Sequence, residues 1–191
     1  MKKITLILFF YFFAIISNAQ GRFNGYVVTN SNDTIKCTFS LEMNIFDKTL
    51  FYDSSLSKRA KIFKQNGEKV KYKPTELKTI FITGPKQGDY KFVSISEDKN
   101  HFFHEIISGK ISYYIIYEGN LSGGFPYQRL FILKDGKLAR MDGFSRRKTL
   151  GEFIFDYPEL HQKWMDSNNY YKIDQFDDVI KTYNEHFKVQ K

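Results

Sequence analysis

From Gly21 to about Met141 apolar and polar residues alternate in short segments, the period-two pattern of half-buried β-strands, and turn-forming residues separate the segments. RFNGYVVT (22–29) and DTIKCTFS (33–40) flank Asn30-Ser31-Asn32, whose side chains tolerate the tight backbone of a hairpin loop. RAKIFKQ and EKVKYK flank Asn66-Gly67, and RLFILK and KLARM flank Asp135-Gly136. Both pairs suit the positive φ angles of a two-residue type I′ turn. KTLFYD (48–53), LKTIFITG (77–84) and DYKFVSIS (89–96) also alternate, and FFHEIIS meets KISYYIIYE around Gly109. The pattern predicts about eleven strands spaced as in a meander. No helical crossover lies between them, which argues against a parallel βαβ arrangement.

After Gly143 the apolar period lengthens toward 3.6. Thr149 with Glu152, and Asp156 with Glu159, have the spacing of capping boxes, and Pro158 follows the second cap, so helix starts are expected at both. Ile173, Phe176, Val179, Ile180, Tyr183 and Phe187 share one face of a last helix, with Asp174, Asp177, Asp178 and Glu185 elsewhere on it. Carboxylates in its first turn suit the helix dipole. The fold class read from these periods is α+β, mainly antiparallel β. A meander sheet forms a roll, sandwich or partly open barrel, with two or three C-terminal helices. Residues 20–191 read as one β-rich domain whose helical segment covers about 145–188.

Residues 1–19 have a different character. Met1-Lys2-Lys3 is followed by the apolar run at 4–16, and Ser17-Asn18-Ala19 places small side chains before a cut at Gln20, the layout of a secretory signal peptide. The run spans 13 residues, too short as a helix for the roughly 30 Å hydrocarbon core of a bilayer. An exported chain with no transmembrane anchor after cleavage is expected: periplasmic, outer-membrane-associated or secreted.

Composition narrows the picture further. A chain of 191 residues with 42% apolar and 26% charged content lies outside disordered and collagen-like compositions. Cys37 is the only cysteine, so no intrachain disulfide forms and packing must supply the stability. It alternates inward with Ile35 and Phe39 and reads as a small buried hydrophobe. The formal charge of +8 is Lys-heavy, 23 Lys against 6 Arg, and accompanies abundant Ile, Asn, Phe and Tyr, residues with AT-rich codons. With export expected, nucleic acid is not the partner this basicity implies.

Sequence motifs for catalysis are missing: there is no G-x-S-x-G, H-E-x-x-H or C-x-x-C. His101 and His104 lie three apart in a strand pattern, which turns their rings to opposite faces, and His161 and His186 fall in helix patterns. No metal site and no cofactor is expected. Ser122-Gly123-Gly124-Phe125-Pro126 lacks the Gly-Lys-Ser/Thr ending of a phosphate loop. The most concrete surface feature is cationic: Lys58, Arg59, Lys61, Lys64, Lys69, Lys71 and Lys73 stud one hairpin, with Lys69, Lys71 and Lys73 on one parity and Val70 and Tyr72 on the other. Such a face serves as a solvated surface or a charge-guarded strand edge. It also suits an anionic envelope polymer, a membrane surface or an envelope protein, so the candidate binding residues are Lys69, Lys71, Lys73, Lys61 and Lys64. Phe51, Tyr52 and Tyr72 could add aromatic contact, as could a second group, Tyr113, Tyr114, Tyr117, Phe125 and Tyr127.

The stretches GYVVTNSNDTIKCTF, KYKPTELKTIFITG, LFILKDGKLARM and FDYPELHQKW, with IDQFDDVIKTYNEHF at the end, resemble a group of uncharacterised exported β-rich proteins of Gram-negative bacteria. The resemblance implies compartment and architecture and brings no activity with it. The expected function is therefore a non-enzymatic envelope or secreted module acting by contact with a glycan, lipid surface or protein. The alternative is a cell-envelope hydrolase whose residues meet only in three dimensions, drawing on His104, Glu105 and Asp98.

Overall fold

A computed structural model describes residues 20–43, 51–84, 88–118, 127–166 and 170–188. The expected leader, the Gly-rich segment at 122–126 and the first positions of KTLFYD lie outside them. The fold is α+β, with ten antiparallel strands and three C-terminal α-helices among the described residues, in two compact units divided between Tyr90 and Lys91.

The first unit holds β1 (Gln20–Thr29), β2 (Thr34–Glu42), β3 (Ala60–Lys64), β4 (Lys69–Tyr72) and β5 (Leu77–Ile82), in the spatial order β5–β1–β2–β3–β4. The chain meanders as far as β4, then departs from the expected pattern, because β5 returns beside β1. The link from Tyr72 to Leu77 crosses back over the sheet, and the Asn30 carboxamide donating to the Thr75 carbonyl (2.6 Å) fastens it to the β1–β2 turn. Val27, Phe39, Leu41, Ile62, Ile80 and Ile82 share the inner face, each 0–1% exposed. Gly25 in mid-β1 has a packing reason, since a Cβ there would collide with the Phe81 carbonyl and the Phe39 ring. Cys37 is buried among these residues, and that burial pushes its thiol up to about 11.

Of the two expected type I′ turns, one forms. Asp135 (φ 49°) and Gly136 (φ 77°) join their strands in two residues. At the lysine hairpin only Gly67 has positive φ (82°), and Lys64 and Glu68 close a three-residue loop through Lys64 N–H donating to the Glu68 carbonyl at 2.9 Å. The extra loop residue matters because a one-residue slip moves a side chain to the other face. It sets Lys69 opposite Phe63 and Lys71 opposite Lys61. KTLFYD does not continue as a strand: Phe51 makes a single bridge to Met43, and a 3-10 turn follows at Asp53–Ser55.

The second unit is a true meander, β6 (Tyr90–Ile95), β7 (Asp98–Ile107), β8 (Ser112–Glu118), β9 (Tyr127–Lys134) and β10 (Lys137–Arg140), followed by α1 (Arg146–Phe153), α2 (Pro158–Met165) and α3 (Phe176–Lys188). One sheet face carries Tyr113 and Ile132, and the helices cover it with Leu150, Phe153, Leu160, Trp164, Val179, Ile180 and Tyr183. Ile173, expected on the apolar face of α3, instead sits 39% exposed in a 3-10 turn.

Neither expected capping box forms. Thr149 lies inside α1, its N–H donating to the Ser145 carbonyl (2.8 Å), because tertiary contact starts the helix earlier. The Trp164 indole N–H donates to the Arg147 carbonyl at 2.7 Å, and the Arg147 guanidinium covers the indole at 4.6 Å. Pro158 does open α2, but Asp156 is drawn elsewhere: Lys134 Nζ and the Tyr183 hydroxyl each donate to it at 2.8 Å. Burial raises the Asp156 pKa, yet the hydrogen bonds from Lys134 and Tyr183 outweigh it and hold the carboxyl below its ordinary value. Tyr183→Phe is expected to lower the unfolding free energy by about 1–2 kcal/mol at neutral pH. That is at the low end for a charged acceptor, because Asp156 is partly solvated. Urea titrations at falling pH should show the difference narrowing once Asp156 protonates, the folded-state pKa being the depressed one.

Candidate functional site

In the first unit one parity of each strand faces outward. Arg22, Asn24 and Tyr26 of β1 stand opposite Ser40, Thr38 and Lys36 of β2, and Phe63 of β3 stands opposite Thr38. Phe81 of β5 extends the row from Tyr26, while Lys69 and Lys71 of β4 extend it from Phe63 and Lys61. The result is a cationic sheet face with three aromatic rings set into it. Residues 20–90 carry twelve Lys and Arg against seven Asp and Glu, whereas residues 91–191 carry fifteen against fourteen. The surplus positive charge of residues 20–191 thus belongs almost wholly to residues 20–90.

Within the face the cations are arranged around the rings. The Arg22 guanidinium lies 4.7 Å and Lys69 Nζ 5.6 Å from the Phe63 centroid, both within cation–π range. Tyr26 and Phe81 stack at 5.1 Å with planes 18° apart. Lys36, Lys61 and Lys71 make no ion pair among the described residues. Lys61 and Lys71 are direct cross-strand partners, an arrangement that costs stability when the charges are alike. Lys69 follows at a two-residue spacing, roughly 7 Å along β4. An anion placed over these three ammonium groups relieves their repulsion.

The five lysines read from the sequence therefore do not act alike. Lys61, Lys69 and Lys71 gather on the outer face. Lys64 is out of step with Lys61 and is held by Glu68 at 3.0 Å, a hydrogen bond that raises its pKa. Lys73 follows the end of β4 on an exposed turn, its backbone N–H donating to Glu76 at 2.6 Å. The aromatic partners differ too: Phe51 is buried, and Tyr52 and Tyr72 are half-buried.

Between the Tyr26–Lys36 row and Phe63 the short side chains of Asn24 and Thr38 leave a shallow pocket of about 420 Å³, edged also by Thr83, Gln65 and Lys64, so that Lys64, though out of step with the outer row, borders this pocket. Sequence reading missed Arg22, Lys36, Tyr26, Phe63 and Phe81 as members of one site. The outward parity of Lys36 and Thr38 in DTIKCTFS was visible, but their neighbours depend on strand order.

The other chemistry considered disperses. His104 and Glu105 are consecutive in β7 and project to opposite faces; His104 stacks on Phe92 at 4.9 Å, and Glu105 accepts from Lys91 at 2.7 Å. Asp98 is engaged by His101 Nδ1 at 2.8 Å. The structure does not bring these three together. His101 is instead the centre of a separate cluster, its Nε2 3.5 Å from Glu118, which also pairs with Arg129 (2.8 Å) and accepts from the Tyr127 hydroxyl. Both ring nitrogens of His101 thus face carboxylates, leaving neither directed at a substrate. Among the described residues no group of three His, Cys, Asp or Glu is arranged to hold a metal ion. Tyr113 and Tyr114 are core residues, and Tyr127 is 46% exposed.

Among the described residues no helix is long and apolar enough to cross a membrane. Comparison with protein-family models, curated proteins and solved structures finds no match to the chain.

Proposed function

We propose that the mature chain is an exported, non-enzymatic envelope module that holds an anionic envelope polymer against the outer face of its first unit. One observation carries the reading: Lys61, Lys69 and Lys71 are set side by side on a sheet face without ion-pair partners among the described residues, around a ring already bracketed by Arg22 and Lys69. β4 is a sheet edge, where lysines also guard against unwanted pairing, but the direct Lys61–Lys71 pair adds a repulsion that a bound anion relieves. The N-terminal leader pattern supports export, where an acidic polysaccharide, a phosphorylated polymer or anionic lipid headgroups would supply the counter-charge.

The test is retention on immobilised anionic polymers at about 0.05 M and about 0.5 M salt, since an exposed contact of this kind is screened over a Debye length of roughly 3–10 Å across ordinary to high salt. Wild-type protein should be retained at low salt and released at high salt. Each lysine at an anionic surface contributes about 1 kcal/mol, so the double change Lys69→Glu and Lys71→Glu should weaken retention at least about tenfold. Unaltered retention removes this face from consideration, and retention only on anionic lipid vesicles would replace the polymer with a membrane surface.

A further inference from the structure

We infer that the pocket floored by Asn24 and Thr38 is a sugar-ring subsite, and that the polymer bound by this face is an acidic polysaccharide. The inference rests on the reading above and narrows its ligand. A bare array of lysines accepts any polyanion. This face has more than lysines, and the additional groups are those a carbohydrate uses.

The Tyr26 ring forms one wall, backed by Phe81 at 5.1 Å and nearly parallel to it, so the ring is held in a fixed plane. Sugar rings lay their C–H faces on such planes, and a stacked, immobilised ring loses little entropy when it does so. Lys36 is the direct cross-strand partner of Tyr26, which brings an ammonium to the edge of the same pocket. Asn24 and Thr38 supply a carboxamide and a hydroxyl from the floor, and neither side chain is engaged by another described residue. At about 420 Å³ the pocket falls in the range of small-molecule sites, roughly 300–1,000 Å³, with room for a sugar unit and not for a folded partner.

Polyphosphate can accept from the floor amide and hydroxyl but has no apolar face to lay on Tyr26. A membrane surface calls for apolar side chains that protrude, whereas Tyr26, Phe63 and Phe81 are half-buried and lie within the face. A uronic acid unit matches these groups together: its ring on Tyr26, its hydroxyls on Asn24 and Thr38, its carboxylate on Lys36. Successive carboxylates then continue toward the lysines of β3 and β4.

The experiment is calorimetric titration of the mature protein with an oligogalacturonate and with a polyphosphate of equal charge. The variants are Thr38→Trp, which fills the pocket, Tyr26→Ala, and Tyr26→Phe, which keeps the ring. Wild type should bind the uronate about tenfold more tightly than the phosphate. Thr38→Trp and Tyr26→Ala should each weaken uronate binding about tenfold, leave polyphosphate within about twofold, and melt near the wild-type temperature, while Tyr26→Phe should retain most of the preference. Equal affinities for the two polymers, or losses of equal size on both, overturn the sugar subsite and leave the polyanion face standing. Failure of wild type to bind either polymer overturns both.

Discussion

Asn184→Leu is expected to remove about 3–5 kcal/mol from the unfolding free energy. Asn184 lies in α3 and is 8% exposed, and its carboxamide satisfies both halves of one distant residue. Oδ1 accepts from the Ile111 N–H and Nδ2 donates to the Ile111 carbonyl, each at 2.8 Å. Ile111 precedes β8 and is fully buried, so without Asn184 its two backbone groups stay in the interior with no water to replace the lost partner. Each unsatisfied group costs about 1–3 kcal/mol, and the leucine that shape alone would allow cannot bond to either. Gly109 touches the same carboxamide: a Cβ there would run into the Asn184 side chain, so Gly109→Ala should reproduce part of the loss by pushing the clamp off its partner. Asn184→Asp should also destabilise, since a carboxylate can accept from Ile111 but cannot donate, and it adds a buried charge. Urea unfolding followed by the single tryptophan, Trp164, reads these losses directly, because that indole is fully buried in the core that α3 closes. A cost below about 1 kcal/mol for Asn184→Leu would mean that Ile111 finds other partners and that the clamp is incidental.

How far such features could be read beforehand depends on the range of the contacts involved. Strand alternation is a local property, and the inward set in DTIKCTFS, Ile35, Cys37 and Phe39, was legible because burial follows parity; the same parity marked Lys69 and Lys71 as outward. Strand order is not local. Nothing in LKTIFITG indicates that β5 lies beside β1, yet that placement stacks Phe81 on Tyr26 and fixes the ring proposed to hold the sugar. Turn length proved decisive in the same way. Asn66-Gly67 and Asp135-Gly136 look alike as dipeptides, but the first sits in a three-residue loop, and that single residue decides that Lys61, not Lys64, joins the cationic row. The helical caps failed for a related reason. Asp156 had the spacing of a cap, but Lys134 and Tyr183, distant in sequence, offered a charge and a buried hydroxyl. Asn184 shows the limit most plainly. In the helix pattern it is one polar position among several, and only the three-dimensional neighbourhood of Ile111 gives it a role.

His104 should make the folded state sensitive to mild acid. Burial lowers its pKa from 6.5 to about 4, so the ring is neutral in the native protein at physiological pH. The ring lies flat against Phe92 at 4.9 Å, with the Tyr117 hydroxyl 3.4 Å from Nδ1, an environment that offers little solvation to an imidazolium. Unfolding releases that constraint. Between pH 6.5 and about 4 the unfolded chain binds a proton that the folded chain does not, so stability falls as pH falls across this window, by about 1.4 kcal/mol per unit at most. Integrated over the window the loss approaches 3 kcal/mol, comparable with breaking the Asn184 clamp and a large share of the stability of an ordinary domain. Above about pH 7.5 the group contributes almost no slope, because both states are then neutral. His104→Phe keeps a flat ring beside Phe92 and removes the titration, so its unfolding free energy should be nearly level from pH 6.5 to 4.5 while that of the wild type declines. Carboxylates begin to titrate toward the lower end, which makes the upper part of the window, between about pH 6 and 5, the place to compare the two slopes. Parallel slopes there would show that His104 is protonated in the folded state after all, and would move the acid sensitivity to other groups.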